Sequence, residues 1–585
     1  MKFGLNKRDG PARIGEFEVD KKNVKTPNIL YINTIRFKAP AFAELLISNN
    51  AKDTDHTSLN FSCNLIMKLI NESIDEKYIV NLEENFKIDE KIIKSNIKFY
   101  IISNAKQLFK YPKKFLEFII KLREKVGYQK LIYLPSIGYP VNLSLLTYLG
   151  IDLFDSAAAI IAARENTLLF ENGNYQKEEL EELPCNCPAC SKINKPPIEL
   201  KFQDILNHNY YSLITEIKQI RNAISRGEIR NLVENRVRVN PHLTTILKNL
   251  DRYHYDFLEK RTPIVNKGKI IATTKESCSR PEIIRFQKRI INQYIKPNSA
   301  KILLLLPCSA KKPYSDSKSH KMFKEQIFST KNPYIIHEVI ITSPLGIVPR
   351  ELENIYPASS YDIPVTGVWE EYEKVMIKKL LQSYLKKNSY NEFILHLPPE
   401  LNEFISPILK NEIITCIDHP TSQDSLDKLK LTLNSVVKKY DKINIKDRAK
   451  EEMQSILLYQ FGEKITSDLL RKTIIKGRYP NRKIFENNVQ LGMTTKERGL
   501  LSLTLQGALK LNKSDRYYVD IYDDFDIIGS IFAPGIKDSD NSIRIGDEVL
   551  VKRKKKVIAV GVAQMNGDEM IESSYGEAVK VRHRI

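Results

Sequence analysis

The chain has 585 residues, and 91 lysines and arginines against 71 aspartates and glutamates leave a formal charge of +20. This length exceeds what one core serves, so about four domains is the length prior, and the basic excess points to a polyanionic partner, because each neutralised phosphate releases condensed counterions. No run approaches the roughly 20 apolar residues of a bilayer span, residues 1–10 are too polar for a secretory signal, and no Gly-x-x-x-x-Gly-Lys-Ser/Thr phosphate loop is present; the expectation is a cytoplasmic protein with no membrane partner and no nucleotide-driven mechanism.

From about residue 25 to 175, short apolar runs (28–32, 99–102, 130–134) alternate with helical patterns such as 113–125, the alternation of a parallel α/β barrel or open sheet. The stretch Gly150-Ile151-Asp152-Leu153-Phe154-Asp155-Ser156-Ala157-Ala158 resembles the segment of tRNA-guanine transglycosylases that carries their aspartate nucleophile, with Asp155 at the matching position. Those enzymes also carry an Asp-Ser-Gly-aromatic-Gln type motif, and residues 39–71 contain none. Base exchange at a glycosidic carbon needs two carboxylates in separate roles, so Asp155 reads here as a barrel residue kept for structure or for holding a base.

Cys185, Cys187 and Cys190 fall within six positions, and His208 follows at the expected opening of a helix over 208–224. Seven cysteines in a chain this long make no disulfide framework. Three thiolates and an imidazole close a tetrahedral zinc site with no open position, which makes its expected role structural; a redox cluster is the alternative. The stretch 227–259 reads as the end of the same domain. Residues 263–281 are polar and without sustained period, so a linker is expected there.

A basic helix over 283–294 and the apolar run 302–306 precede Pro307-Cys308-Ser309-Ala310-Lys311-Lys312-Pro313-Tyr314-Ser315-Asp316-Ser317-Lys318-Ser319-His320. This is a reactive loop leaving a buried strand, the place where ligand crevices open in α/β sheets. A helix over 321–328 and strands over 335–342 and 392–396 complete an α/β domain. The pattern of the loop, with Ile341 to Glu353 and Tyr361 to Gly367 after it, is similar to the signature of the archaeosine synthases, archaeal tRNA-modifying enzymes related in architecture to the transglycosylases. A mixed region over 431–507 ends in Leu500-Leu501-Ser502-Leu503-Thr504-Leu505-Gln506-Gly507-Ala508, which looks like the entry to the RNA-binding end of archaeal transglycosylases. Strands at 525–534, 546–552, 557–565 and 576–581 follow; Phe532 to Ile536, Arg544 to Val549 and Ala559 to Ala563 resemble a PUA domain, with glycines for close phosphate approach and residues 552–556 and 582–584 for charge.

The resemblance implies an α/β multidomain chain: a degenerate transglycosylase-like (β/α) barrel with its zinc element (1–270), an α/β domain with the signature (282–430), a mixed connecting domain (431–509) and a C-terminal β-barrel PUA domain (510–585). It implies a tRNA substrate already holding 7-cyano-7-deazaguanine, whose nitrile gains an amine from glutamine, ammonia or lysine; with lysine, a radical SAM partner releases the product. It leans toward a homodimer. A thiolate captures a nitrile as a thioimidate that an amine displaces, so Cys308 is the expected nucleophile, its pKa lowered by lysines or His320. Lys312, Tyr314, Ser317 and His320 are the other site candidates with Asp155; alternatively Cys308 packs, and they bind the donor or polarise the nitrile. Cys63, Cys278 and Cys416 lack such company. An active tRNA-guanine transglycosylase and a noncatalytic tRNA-binding protein are the competing functions.

Overall fold

The computed structural model describes residues 3–19, 22–34, 36–48, 79–82, 99–193 and 195–585, so Cys63 and most of the 39–71 stretch lie outside the described residues. The chain forms two compact units, Met1–Thr262 with Glu572–Gly576, and Pro263–Ile571 with Glu577–Ile585.

In the first unit a three-stranded antiparallel sheet, Phe3–Asp9, Ala12–Val19 and Lys22–Thr26, precedes six parallel strands. Their order is Leu45–Ser48, Asn28–Asn33, Leu153–Asp155, Leu131–Tyr133, Phe99–Ile102, Ile79–Leu82. Apart from Leu45–Ser48 and Ile79–Leu82, which are the two edges, described strands consecutive in the chain are neighbours, and the last pairs with the first, which is the wrapping order of a parallel barrel. The helix Pro140–Tyr148, which has no charged residue, is buried on every face. The long helix Phe202–Arg226 starts six residues before His208, and Gly227 ends it in the left-handed conformation. His208 therefore lies inside this helix and does not open it.

The second unit is built on a five-stranded sheet of order Gly346–Pro349, Ile336–Thr342, Ile302–Pro307, Glu392–Leu395, Glu412–Ile414, parallel except for the first edge strand. Alternation decides its two faces. Ile302, Leu304 and Leu306 pack with Phe323, Ile327, Leu426 and Leu429, from helices Lys318–Phe328 and Gln423–Val437. Leu303 and Leu305 pack with Phe286, Ile290, Ile377 and Leu381, from helices Pro281–Asn292 and Glu371–Lys387. The chain leaves Ile302–Pro307 for a neighbour on one side and later returns on the other, which makes this central strand the switch point of a doubly wound sheet.

Residues 263–281 are not a linker. Ile264, Ile270 and Ala272 are buried, and Ile270–Ile271 pairs with Tyr361–Asp362; polar composition hid a segment held by three apolar anchors. Beyond the sheet, the helix Ile445–Phe461 leads through a four-stranded antiparallel sheet to a six-stranded one. In that last sheet the expected strand over 525–534 shrinks to Ile531–Phe532, since the aspartates and Gly529 before it favour turns. Met453, Leu457, Leu503 and Ala508 share one core with Val519, Val549 and Val579.

Candidate functional site

Four parallel strands of the second unit end at one crevice of about 640 Å³. Cys308 follows the central strand, Ser343 the neighbour on one side, Pro398 the neighbour on the other, and His419 the far edge strand; the segment Ile363–Trp369 and the carboxylates of Glu370 and Glu373 complete its wall. Ala272, Thr273, Thr274 and Cys278, from the stretch mistaken for a linker, line it too. Cys278 is thus a second cysteine of the crevice, and thirty residues of chain separate it from the signature, so spacing carried no signal of it.

Cys308 is partly exposed to the crevice and anchored by its backbone N–H on the Ile341 carbonyl at 3.1 Å. Burial pushes its thiol above the ordinary cysteine value; a hydrogen bond with Thr342 and the charge of Lys312 pull the other way. The expected lowering therefore does not prevail, because desolvation outweighs one nearby ammonium. Lys312 is affected in the complementary sense: burial lowers its ammonium, while Cys308 and Asp362 work against that. Its Nζ lies 4.1 Å from the centre of the Tyr361 ring. Burial pushes both groups toward their neutral forms, which brings a thiol and an amine closer to exchanging a proton.

The other signature residues are placed differently. Tyr314 is fully buried and its hydroxyl lies 2.5 Å from that of Tyr361. Ser317 caps the helix Lys318–Phe328, its hydroxyl accepting from the His320 N–H at 3.2 Å. His320 is buried, with Nε2 3.0 Å from the Pro307 carbonyl and Nδ1 2.7 Å from an Arg350 nitrogen. Burial first, and the Arg350 charge second, hold the imidazole far below its usual range. A neutral ring that donates from Nε2 and accepts at Nδ1 has no nitrogen left for Cys308. The thiol-activating part expected of His320 is corrected to positioning: it ties the end of the central strand to Arg350, which is held in turn by Glu338 and Glu353.

Asp155 ends a parallel strand of the first unit and is almost completely buried. One carboxylate oxygen accepts from Tyr133 Oη at 2.5 Å and the Ser136 N–H at 2.9 Å, the other from the Ala157 N–H at 2.8 Å. Burial raises its pKa against these three hydrogen bonds. Both oxygens are thus engaged by fixed donors of the local fold.

The sulfurs of Cys185, Cys187 and Cys190 and one nitrogen of His208 lie within 4.8 Å of one another. Nδ1 is 3.3 Å from Cys190 Sγ, and Nε2 is 3.1 Å from the Leu169 carbonyl. That carbonyl takes the Nε2 proton and leaves the Nδ1 lone pair facing the thiols, the outer-shell arrangement of a metal-binding imidazole. Backbone N–H groups of Cys187 and Cys190 donate to the preceding sulfurs, each at 3.4 Å. Three soft donors and one imidazole at this separation fit a metal ion.

In the C-terminal sheet the glycines of the three motifs serve internal packing. A side chain on Gly561 would meet the Lys580 backbone at 2.5 Å, and one on Gly535 the Phe525 ring at 2.6 Å. Of the basic residues, Lys552 is buried and its ammonium donates to the Ser514 carbonyl, while Arg582 pairs with Glu548. Lys554, Lys555, Lys556 and Arg584 are exposed.

Among family models, one described as queuine tRNA-ribosyltransferase matches residues 81–242, a domain of unknown function (DUF5591) matches 283–433, and a PUA domain matches 528–585. The archaeosine synthase subunit alpha of Methanosarcina acetivorans is 37% identical over 83% of this chain and 79% of its own. That of Thermococcus kodakarensis is 30% identical over 99% of both chains. The tRNA-guanine(15) transglycosylase of Methanobrevibacter smithii is 27% identical over 77% of this chain and 66% of its own.

Proposed function

The chain belongs to the archaeosine synthase family, and we propose that it converts the nitrile of 7-cyano-7-deazaguanine in tRNA toward the formamidine of archaeosine by amine addition, in the manner of an amidinotransferase, with Cys308 as nucleophile. The carrying observation is Cys308 at the switch point of the sheet, open to a crevice, with Lys312 close enough for each to act electrostatically on the other. The thiol proton passes to the Lys312 amine as sulfur bonds the nitrile carbon; one carbon–nitrogen π pair moves to nitrogen, which takes the proton back. The incoming amine then adds to the thioimidate carbon, the carbon–sulfur bond breaks with its pair on sulfur, and a proton released by the new amidine nitrogen returns to the thiolate. Glutamine, ammonia or lysine would each supply the nitrogen, and with lysine a radical SAM partner completes the release. No redox equivalent is needed for the addition itself.

The metal we propose at Cys185, Cys187, Cys190 and His208 is zinc, in a closed and structural site. We propose that tRNA is gripped through the PUA-like end by Lys554, Lys555, Lys556 and Arg584. Among the described residues no helix is long and apolar enough to cross a membrane.

Mass spectrometry of cyano-modified tRNA, with and without each amine, tests the reading: a donor-dependent mass gain is expected. Release of free guanine from unmodified tRNA would establish instead the transglycosylase activity carried by the name of the Methanobrevibacter relative. The three fixed donors on the buried carboxylate of Asp155 weigh against it.

A further inference from the structure

Thr342 ends the strand that pairs with Ile302–Pro307, and Cys308 continues that ladder by one residue through its bond to the Ile341 carbonyl. Thr342 therefore stands beside Cys308 on the adjoining strand, and it is one of the groups that pull the Cys308 thiol down against burial. The Thr342 hydroxyl lies 2.5 Å from the Tyr361 hydroxyl, which lies 2.5 Å from that of Tyr314. All three are almost wholly buried. Each hydroxyl has one proton to donate, so a chain from Tyr314 to Tyr361 to Thr342 ends beside the sulfur of Cys308. Thr342 has a second acceptor in reach, the Ser343 carbonyl at 3.1 Å. A neutral thiol is a weak acceptor and leaves that proton on the carbonyl. A thiolate draws it across, because hydrogen bonds to a charged acceptor are about twice as strong as neutral ones.

We infer that Thr342 and Tyr361, backed by Tyr314, are positioning residues that receive the negative charge of Cys308 whenever the sulfur carries it, both as it attacks the nitrile and as the amine expels it. This rests on the reading of Cys308 as nucleophile. The chain moves no net proton; it rotates one hydroxyl, and the proton itself travels by way of Lys312. Facing the thiol are Lys312 from its own loop, Glu373 from the helix Glu371–Lys387, and the two tyrosines. Of these only Lys312 becomes cationic, on taking the thiol proton, so the buried hydroxyls add a stabilisation that a single ammonium does not provide in a desolvated wall.

The test uses the full chain as Thr342→Val, Tyr361→Phe and Thr342→Ser. Two pH profiles are measured: iodoacetamide labelling of Cys308, resolved by peptide mass, and kcat/KM for amine incorporation into cyano-modified tRNA. Thr342→Val is expected to move both midpoints up by about one pH unit and to slow the reaction at pH 7 by about three- to tenfold, with tRNA affinity unchanged. Tyr361→Phe moves them less, and Thr342→Ser restores the wild-type profile. Wild-type labelling midpoints in Thr342→Val and Tyr361→Phe overturn the chain while leaving the nucleophile intact. Near wild-type turnover by Cys308→Ala removes instead the reading on which the chain rests. Should Thr342→Val not fold, Tyr361→Phe decides alone, since it keeps the ring and loses one hydroxyl.

Discussion

Asp155 and Cys308 occupy equivalent places in two different units, each at the carboxyl end of a parallel strand, and they are used in opposite ways. Asp155 is surrounded by donors that satisfy both oxygens. Cys308 has its backbone fixed and its sulfur turned to a crevice, with one hydroxyl and one amine beside it. The end of a strand is therefore only an opportunity for chemistry; what distinguishes a reacting group is capacity left unspent.

The comparison breaks most directly at Cys308. Cys308→Ala is expected to lose amine incorporation by about a thousandfold or more, with melting temperature and tRNA affinity close to wild type. Turnover near the wild-type rate would return Cys308 to the class of packed cysteines. The metal cluster of the first unit offers the converse case. Cys187→Ser, or zinc removal by a chelator, should cost on the order of 4 kcal/mol, read as a fall in melting temperature that zinc restores in the wild type alone. Unchanged melting of metal-free protein would refute a structural metal.

Two buried carboxylates sharpen the contrast through pH. Burial raises Asp155 above its unfolded value of 3.8, so folding favours its protonated form; its contribution is fully present below pH 3.8 and is lost as pH rises through the raised folded value. Glu351 behaves oppositely. Burial opposes its charge, but His337 by charge and hydrogen bond, with Tyr294 adding a hydrogen bond, outweighs burial and holds the group down at about 2. Its contribution is present above the unfolded value of 4.5 and is lost as pH falls toward about 2, a difference on the order of 3 kcal/mol. Urea titrations from pH 2 to 6 should show Glu351→Gln flattening the acid limb. Asp155→Asn should cost about 1–3 kcal/mol at pH 7 with turnover within a few-fold; a collapse of turnover in a folded Asp155→Asn protein would make the two strand ends alike.

The smallest effect is expected at the exposed turn. Substituting Lys554, Lys555 and Lys556 by alanine should weaken tRNA binding uniformly and reduce its salt slope by about one to two, leaving the reaction at saturating tRNA unchanged. An unaltered slope would place the grip elsewhere. Deleting 510–585 would be a poorer probe, because residues 453–511 share a core with that sheet.

Periodicity made the strand before Cys308 legible, since a continuous apolar run followed by polar residues has few other readings. It also located the strand 99–102, while cysteine spacing located the thiol cluster. The crevice was less legible. Tyr361 lies 19 residues beyond Thr342 in the chain and in a different sheet, and only the tertiary fold brings the two hydroxyls together. Ser317 could have been read as a helix cap from its place before His320, a signal obscured by the chemical interest of the loop. The error over residues 263–281 has a related cause: a segment fixed by a few separated anchors has no period to detect.

The helix Ile445–Phe461 places Ile456 and Tyr459 in the core beneath the reactive sheet and Met453, Leu457 and Phe461 in the core of the C-terminal sheet. A rod cast into two foundations cannot pivot without cracking one of them. The reach from the exposed lysine turn to Cys308 is therefore a constant of this unit, so that in the proposed reaction the nucleotide that meets the sulfur is chosen by distance along a gauge before any base is inspected.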